Sequence, residues 1–376
     1  MFDSPPEPLE DLSLMLRAGE PMASSGGASE EKPSRIVFGT IVRAAPIEKG
    51  GELVVLDWEE KEIVETVPMR PRDPTIGEDP DPRGNARGCR GVRWHDGEII
   101  AATYHTLERY DSELRRVGAI NGRLMAGLHE IGLTERETVW VSSTAIDAAI
   151  EYDLESNDQR RAFWPREMPS PQRALDLEPL RIDKSADNRL RFLDSSDRRT
   201  GSHLHLNAVE EHEGAVYALC NSQASVIDLT NERVAIHDER LMGAHNLRIE
   251  DDGTVLINDT YGRAIQFFDL ETGERDRSID LTQYRWVRNL IRGHLSGYWG
   301  RRVAIRLGIM EDVVARPLFV RGLTSFGKYL FVGVSPAAIL QIDRTTGDLV
   351  DAYQYADDIR VCVHGLDVIP PDQKQF

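Results

Sequence analysis

Leu340-Gln-Ile-Asp343-Arg-Thr-Thr-Gly-Asp348-Leu-Val-Asp-Ala-Tyr353 decides the fold. A strand-forming run ends in aspartate, a tight turn follows, and a second strand leads away. Aspartate bonds the backbone ahead of it and glycine supplies positive φ, so the phrase suits a hairpin turn. Its first half recurs as Leu53-Val-Val-Leu-Asp57, Leu107-Glu-Arg-Tyr-Asp111, Ile150-Glu-Tyr-Asp153, Ser225-Val-Ile-Asp228 and Ile265-Gln-Phe-Phe-Asp269.

The aspartates are 54, 42, 75, 41 and 74 residues apart. A bare propeller blade needs about 41 residues. The two long gaps therefore hold insertions, at about 165–200 and 282–317. The first is charged and proline-rich. The second, rich in arginine and aromatic residues, is predicted to be partly helical. Six copies predict an all-β, six-bladed β-propeller over residues 35–376. Arg35-Ile-Val-Phe-Gly-Thr-Ile-Val42 reads as the second strand of a blade, and Ile359-Arg-Val-Cys-Val-His-Gly-Leu-Asp-Val368 as an unpartnered inner strand. Pairing the two closes the ring and removes exposed edges. Residues 1–34, rich in Pro, Glu, Ser and Gly, read as a flexible acidic leader.

Composition narrows the function classes. A formal net charge of −18 repels phosphate backbones and argues against nucleic acid as a partner. No run approaches the roughly 18 apolar residues of a membrane span. The N-terminus lacks the basic and apolar regions of a secretory signal, so a cytoplasmic location is expected. Lysine occurs six times among 45 basic residues, as in a high-GC genome or a salt-adapted cytoplasm. Cys89, Cys220 and Cys362 lack CxxC spacing and read as buried free thiols in strands.

Aligning each innermost strand on the apolar strand that follows it gives one equivalent residue per blade: His364, Arg90, His129, His205, His245 and Arg321. Inner strands line a propeller's channel, so these side chains are expected at one depth. Four of the chain's ten histidines fall on these six positions. Converging neutral imidazoles suit zinc first, with iron or manganese as alternatives. The predicted metal ligands are His129, His205, His245 and His364. Arg90 and Arg321 suit a carboxylate, sulfate or phosphate group and, with His364, form the predicted catalytic set. Glu130, Asn207, Asn246 and Asp367 lie beside the ring and can orient the imidazoles. His203, two residues above His205, is expected near the channel mouth. It joins Asn207, Asn246 and the two arginines as a candidate substrate contact. The competing reading is that the histidines merely line the channel, bonded to backbone carbonyls and water. His95, His105, His212 and His237 fall at turns or strand ends and are expected to be exposed.

At His205-Leu-Asn207, Ala244-His-Asn-Leu-Arg248 with Asp252-Gly-Thr-Val-Leu-Ile-Asn-Asp259, and Val320-Arg-Gly-Leu-Thr-Ser-Phe-Gly-Lys-Tyr-Leu-Phe-Val-Gly-Val-Ser335, the chain resembles a bacterial family of hypothetical β-propeller proteins. The likeness covers roughly residues 85–345 and implies the fold and the site, without an activity. In architecture the chain is similar to six-bladed gluconolactonase-like and NHL-type propellers, though the acidic calcium site of the former is not found. The peptide-amidating lyase propellers, with three histidines on zinc and an arginine in the channel, are a closer chemical analogy.

The function expected is a metal-dependent lyase or hydrolase acting on a small anionic or hydroxylated molecule in the channel. Four imidazoles would also suit non-haem iron. The alternatives are a non-catalytic propeller that binds a ligand or sugar, and a scaffold that docks a protein partner through residues 284–316.

Overall fold

The computed structural model describes residues 33–72, 87–190, 204–307 and 318–371. The expected leader (1–34) lies outside them except at its last two residues. The strands form six four-stranded antiparallel sheets. In blade 1 the inner strand Val361–Ile369 pairs with Arg35–Val42, from Arg35 opposite Ile369 to Val42 opposite Val361. Each remaining blade runs outward in chain order from its inner strand. Those strands are Val92–His95, Leu128–Leu133, Leu206–His212, His245–Ile249 and Val320–Phe326, in blades 2 to 6.

All six repeat aspartates end the third strand of their blade. Asp57 Oδ1, for example, accepts the backbone N–H groups of Glu59 and Glu60 at 3.1 Å. Asp153 and Asp343 each accept two N–H groups in the same way. The turn phrase recurs because a carboxylate is the cheapest way to satisfy those donors locally.

Each blade is sandwiched between two others, so its middle strands are apolar on both faces. Thr138–Ser143 in blade 3 is buried at every position, whereas the outer strand Gln159–Phe163 faces water over most of its length. The apolar residues form six clusters, one between each adjacent pair of blades. One joins Ile100 and Leu107 of blade 2 to Val139 and Ile150 of blade 3. Another joins Phe331 and Ile339 of blade 6 to Phe38 and Leu56 of blade 1. Burial is thus spread around a ring, leaving the axis to polar side chains.

Among the described residues, two α-helices lie outside the sheets. Helix α1 (Pro169–Leu175) follows blade 3, after a 3₁₀ turn at Pro165–Glu167. Helix α2 (Arg285–Arg306) follows blade 5. Val287, Leu290 and Ile291 of α2, at helical spacing, pack into the cluster between blades 5 and 6. His294 of α2 bonds Asp357 at 3.0 Å. Among the described residues no helix is long and apolar enough to cross a membrane.

Candidate metal centre

The inner strands deliver their side chains to the axis through irregular pairing. In blade 5, His245 pairs with Asn258 and Leu247 with Ile257, leaving Asn246 in a bulge with φ 56°. In blade 3 the pairing jumps from Leu128 to Ile131 around His129 and Glu130. In blade 6 it jumps from Val320 to Leu323 around Arg321 and Gly322, the latter with φ 79°. In blade 1 it slips at His364. Bulges of this kind re-aim side chains. Around the axis the backbones nearly touch: Gly91 donates to His129 O at 2.8 Å. A Cβ on Gly365 would lie 1.9 Å from Arg90 O, so only glycine fits after His364.

Among the described residues, the ligand atoms of His129, His245 and His364 all lie within 4.8 Å of one another. Their exposures are 9 %, 6 % and 1 %. Ring centroids are 5.6 Å apart for His129–His364, 5.9 Å for His245–His364 and 6.3 Å for His129–His245.

Two of the three are held by one repeated device. His245 Nδ1 lies 3.0 Å from Gly243 O and 3.0 Å from Thr260 Oγ1. The Thr260 hydroxyl donates to Val320 O at 2.9 Å, so toward the imidazole it accepts. His129 Nδ1 lies 3.1 Å from Gly127 O and 2.9 Å from Thr144 Oγ1, whose hydroxyl donates to Leu206 O. Facing a carbonyl and a committed hydroxyl, His245 Nδ1 carries the proton and its Nε2 keeps its lone pair for a ligand; the His129 ring is also faced by the Arg90 Nη1 donor, 3.1 Å from Nδ1 and 3.5 Å from Nε2. His364 differs: neither ring nitrogen has a hydrogen-bond partner among the described residues. The nearby Glu130 Oε1, 3.8 Å from His364 Nδ1, also has none.

Burial is the main cause that pushes all three imidazoles well below their usual pKa, so they are neutral at pH 7. Next in size is Arg90 for His129, and Arg321 for His245 and His364. Arg90 donates to Leu128 O at 3.2 Å and places Nη1 3.1 Å from His129 Nδ1. Burial, followed by the charge of Arg43, pushes Arg321 down to about 9. Arg43 was missed by the sequence reading. Its guanidinium lies 5.0 Å from the centroid of Phe319 and that of Arg321 5.2 Å from the same ring. Arg43 follows the strand Arg35–Val42, so nothing in the inner-strand repeat points to it.

His205 is not in its expected register. Leu206 pairs with Cys220 and Ala208 with Leu219, with Asn207 in the bulge. Leu206 thus takes the pairing position of His245, and its side chain joins an inter-blade core. His205 stands one residue earlier, before the strand begins, with φ 53°. Its half-buried ring lies edge-on to His129 at 5.2 Å, but this predicted ligand is not among the residues whose ligand atoms lie within 4.8 Å of one another.

Asn207 and Asn246 are fully buried. Asn207 Nδ2 donates to Ala244 O at 2.7 Å, while Asn246 Oδ1 accepts from Gly322 N at 2.8 Å and Asn258 Nδ2 at 3.0 Å. Each holds one blade's inner strand to the next, a commitment that competes with the expected substrate contact. Asp367 likewise accepts from Thr324 Oγ1 and Trp94 N. His203 lies outside the described residues. His105 is 1 % exposed, contrary to expectation, whereas His95 and His212 are half-buried and His237 is exposed.

A second cluster of ionisable side chains lies beside the ring. Arg93 lies 3.7 Å from both Glu130 and Glu210, and Arg248 lies 3.3 Å from Glu210. Burial raises both carboxyls to about 8.

No family model matches the chain, and no curated protein matches it. Among solved structures it is similar to a protein of unknown function from Bacteroides caccae. The TM-score is 0.53 at 11 % identity, over 90 % of this chain and 99 % of that one. The WD40 domain of Neurospora crassa Pan2 gives a TM-score of 0.44 at 10 % identity, over 84 % of this chain and 74 % of that one. At these identities the Bacteroides likeness shows the propeller fold alone.

Proposed function

We propose that the protein is a metal-dependent enzyme of lyase or hydrolase type, with a divalent first-row ion held by His129, His245 and His364. The donor set supports this most. Three buried neutral imidazoles converge, His245 has Nδ1 occupied so that Nε2 is available, and His364 has no hydrogen-bond partner at either nitrogen among the described residues. A buried polar atom left unsatisfied costs about 1–3 kcal/mol, a burden that a bound ion removes. Imidazole donors favour zinc, then iron or manganese. Bound there, such an ion supplies Lewis-acid chemistry.

The chain's own residues do the rest. Arg90 and Arg321, with Arg43 beside them, hold the anionic group of a small substrate and counter negative charge that develops on it. Glu130, beside His364 Nδ1, orients that ring. His205, the least buried imidazole, stands on the open side.

Elemental analysis of protein purified without chelator tests the proposal. One ion per chain is expected in the wild type and none in His245→Ala. A wild type that holds no stoichiometric metal and takes up neither zinc nor iron(II) would defeat it.

A further inference from the structure

The half-turn between the second and third strands of blade 3 grips three consecutive residues of blade 4. Its Thr144 hydroxyl donates to Leu206 O while it holds His129 Nδ1. Asp147, which ends the turn, is wholly buried. Its Oδ1 accepts His205 N–H at 2.9 Å and its Oδ2 accepts Leu204 N–H at 3.1 Å. The same Oδ2 accepts Arg166 Nη1 at 3.2 Å.

Arg166 comes from the connection between blades 3 and 4 and is 4 % exposed. Its Nε donates to Glu178 O at 2.9 Å and its Nη2 to Pro179 O at 3.2 Å. The guanidinium therefore ties the connecting segment to Asp147, and Asp147 ties it to the backbone of His205. His205 needs such a grip. Its left-handed backbone disfavours a residue with a Cβ, and it lies before the strand, where Asn221 N–H holds its carbonyl at 3.2 Å and Asp147 holds its N–H.

We infer that Asp147, braced by Arg166, is a positioning residue that holds the His205 imidazole edge-on to His129, beside the three-histidine centre, where it supports an ion bound there. The inference rests on the metal reading for what His205 does there, but the clamp itself is independent of it. Two ordered N–H bonds to one carboxylate, with a buried arginine behind it, fix the loop more tightly than a carbonyl would. The connection between blades 3 and 4 thereby acquires a role, because its arginine braces the carboxylate that holds His205.

The test uses Asp147→Asn, which keeps shape but loses charge and sets an amide N–H against its former donors. Cobalt(II) and zinc binding are measured in the wild type, Asp147→Asn, His205→Ala and the double variant. Asp147→Asn is expected to weaken binding by about tenfold. It should shift the cobalt visible spectrum toward that of His205→Ala, and it should add nothing when His205 is already alanine. In parallel, modification of His205 by diethyl pyrocarbonate, read by mass spectrometry without metal, should run several-fold faster in Asp147→Asn. The rate at exposed His237 should be unchanged. Additive losses in the double variant, or wild-type binding together with a wild-type His205 labelling rate, would overturn the inference. A wild type that binds neither ion defeats the metal reading, and the labelling arm still decides the clamp. Should Asp147→Asn not fold, Arg166→Gln carries the same expectation at smaller size.

Discussion

His364→Leu separates a functional imidazole from a structural one by the sign of its effect. His364 is 1 % exposed and, among the described residues, both ring nitrogens lack a hydrogen-bond partner. Arg321, His245, Arg90 and Arg43 add to burial in keeping it neutral. A buried polar atom without a partner costs about 1–3 kcal/mol, so two such nitrogens burden the metal-free fold by roughly 2 kcal/mol or more. Leucine is close in size, brings no polar atom, and stands between the buried residues Val363 and Gly365 on an inner strand. Imperfect packing returns about 1 kcal/mol of the gain. The metal-free variant is therefore expected to be more stable than the metal-free wild type by about 1 kcal/mol. Its affinity for zinc should fall by orders of magnitude, because one of three donors is gone. Urea denaturation in the presence of chelator reads the first effect and zinc titration the second. A metal-free variant less stable by about 1 kcal/mol or more, the usual result of deleting a core contact, would refute the reasoning. It would show that the imidazole supports the fold.

Thr260→Val removes the hydroxyl that joins His245 Nδ1 to Val320 O. It should cost about 1–3 kcal/mol in urea denaturation and weaken zinc about tenfold; lost stability with unchanged zinc affinity would mean the hydroxyl only joins blades. Arg321→Ala should leave metal content intact while weakening inorganic phosphate about tenfold by calorimetry, and loss of both would make the arginine structural. Glu210, raised from 4.5 to about 8 by burial, binds its proton more tightly folded than unfolded. Its stabilisation is thus complete below pH 4.5 and is lost as pH rises toward 8. Wild type should lose on the order of 2 kcal/mol relative to Glu210→Gln across that window, by denaturation at several pH values. Parallel curves for the two proteins would contradict the shift.

The sequence by itself determined the blade count and most of the ring. Both rest on chemistry between near neighbours in the chain. A carboxylate such as Asp57 satisfies N–H groups two and three residues on, and that need repeats wherever a third strand turns. Once the repeat is aligned, His129, His245, His364, Arg90 and Arg321 follow from their place in it. Tertiary structure decided what depends on contacts between blades. His203-Leu-His205 alternates correctly in either register, and only the pairing of Leu206 with Cys220 shows that His205 stands one residue early. Asn207 and Asn246 look like site residues until the neighbouring strands claim their amides. Thr144 and Thr260 were legible as a pair, each fifteen residues after a histidine in a Gly-x-His phrase. Their purpose appears only where their hydroxyls meet the carbonyls of the next blade. Arg43 reaches the centre from outside the repeat altogether. Periodicity records what each blade must do alone, whereas bulges, inter-blade bonds and the approach of a distant arginine are settled when the ring closes.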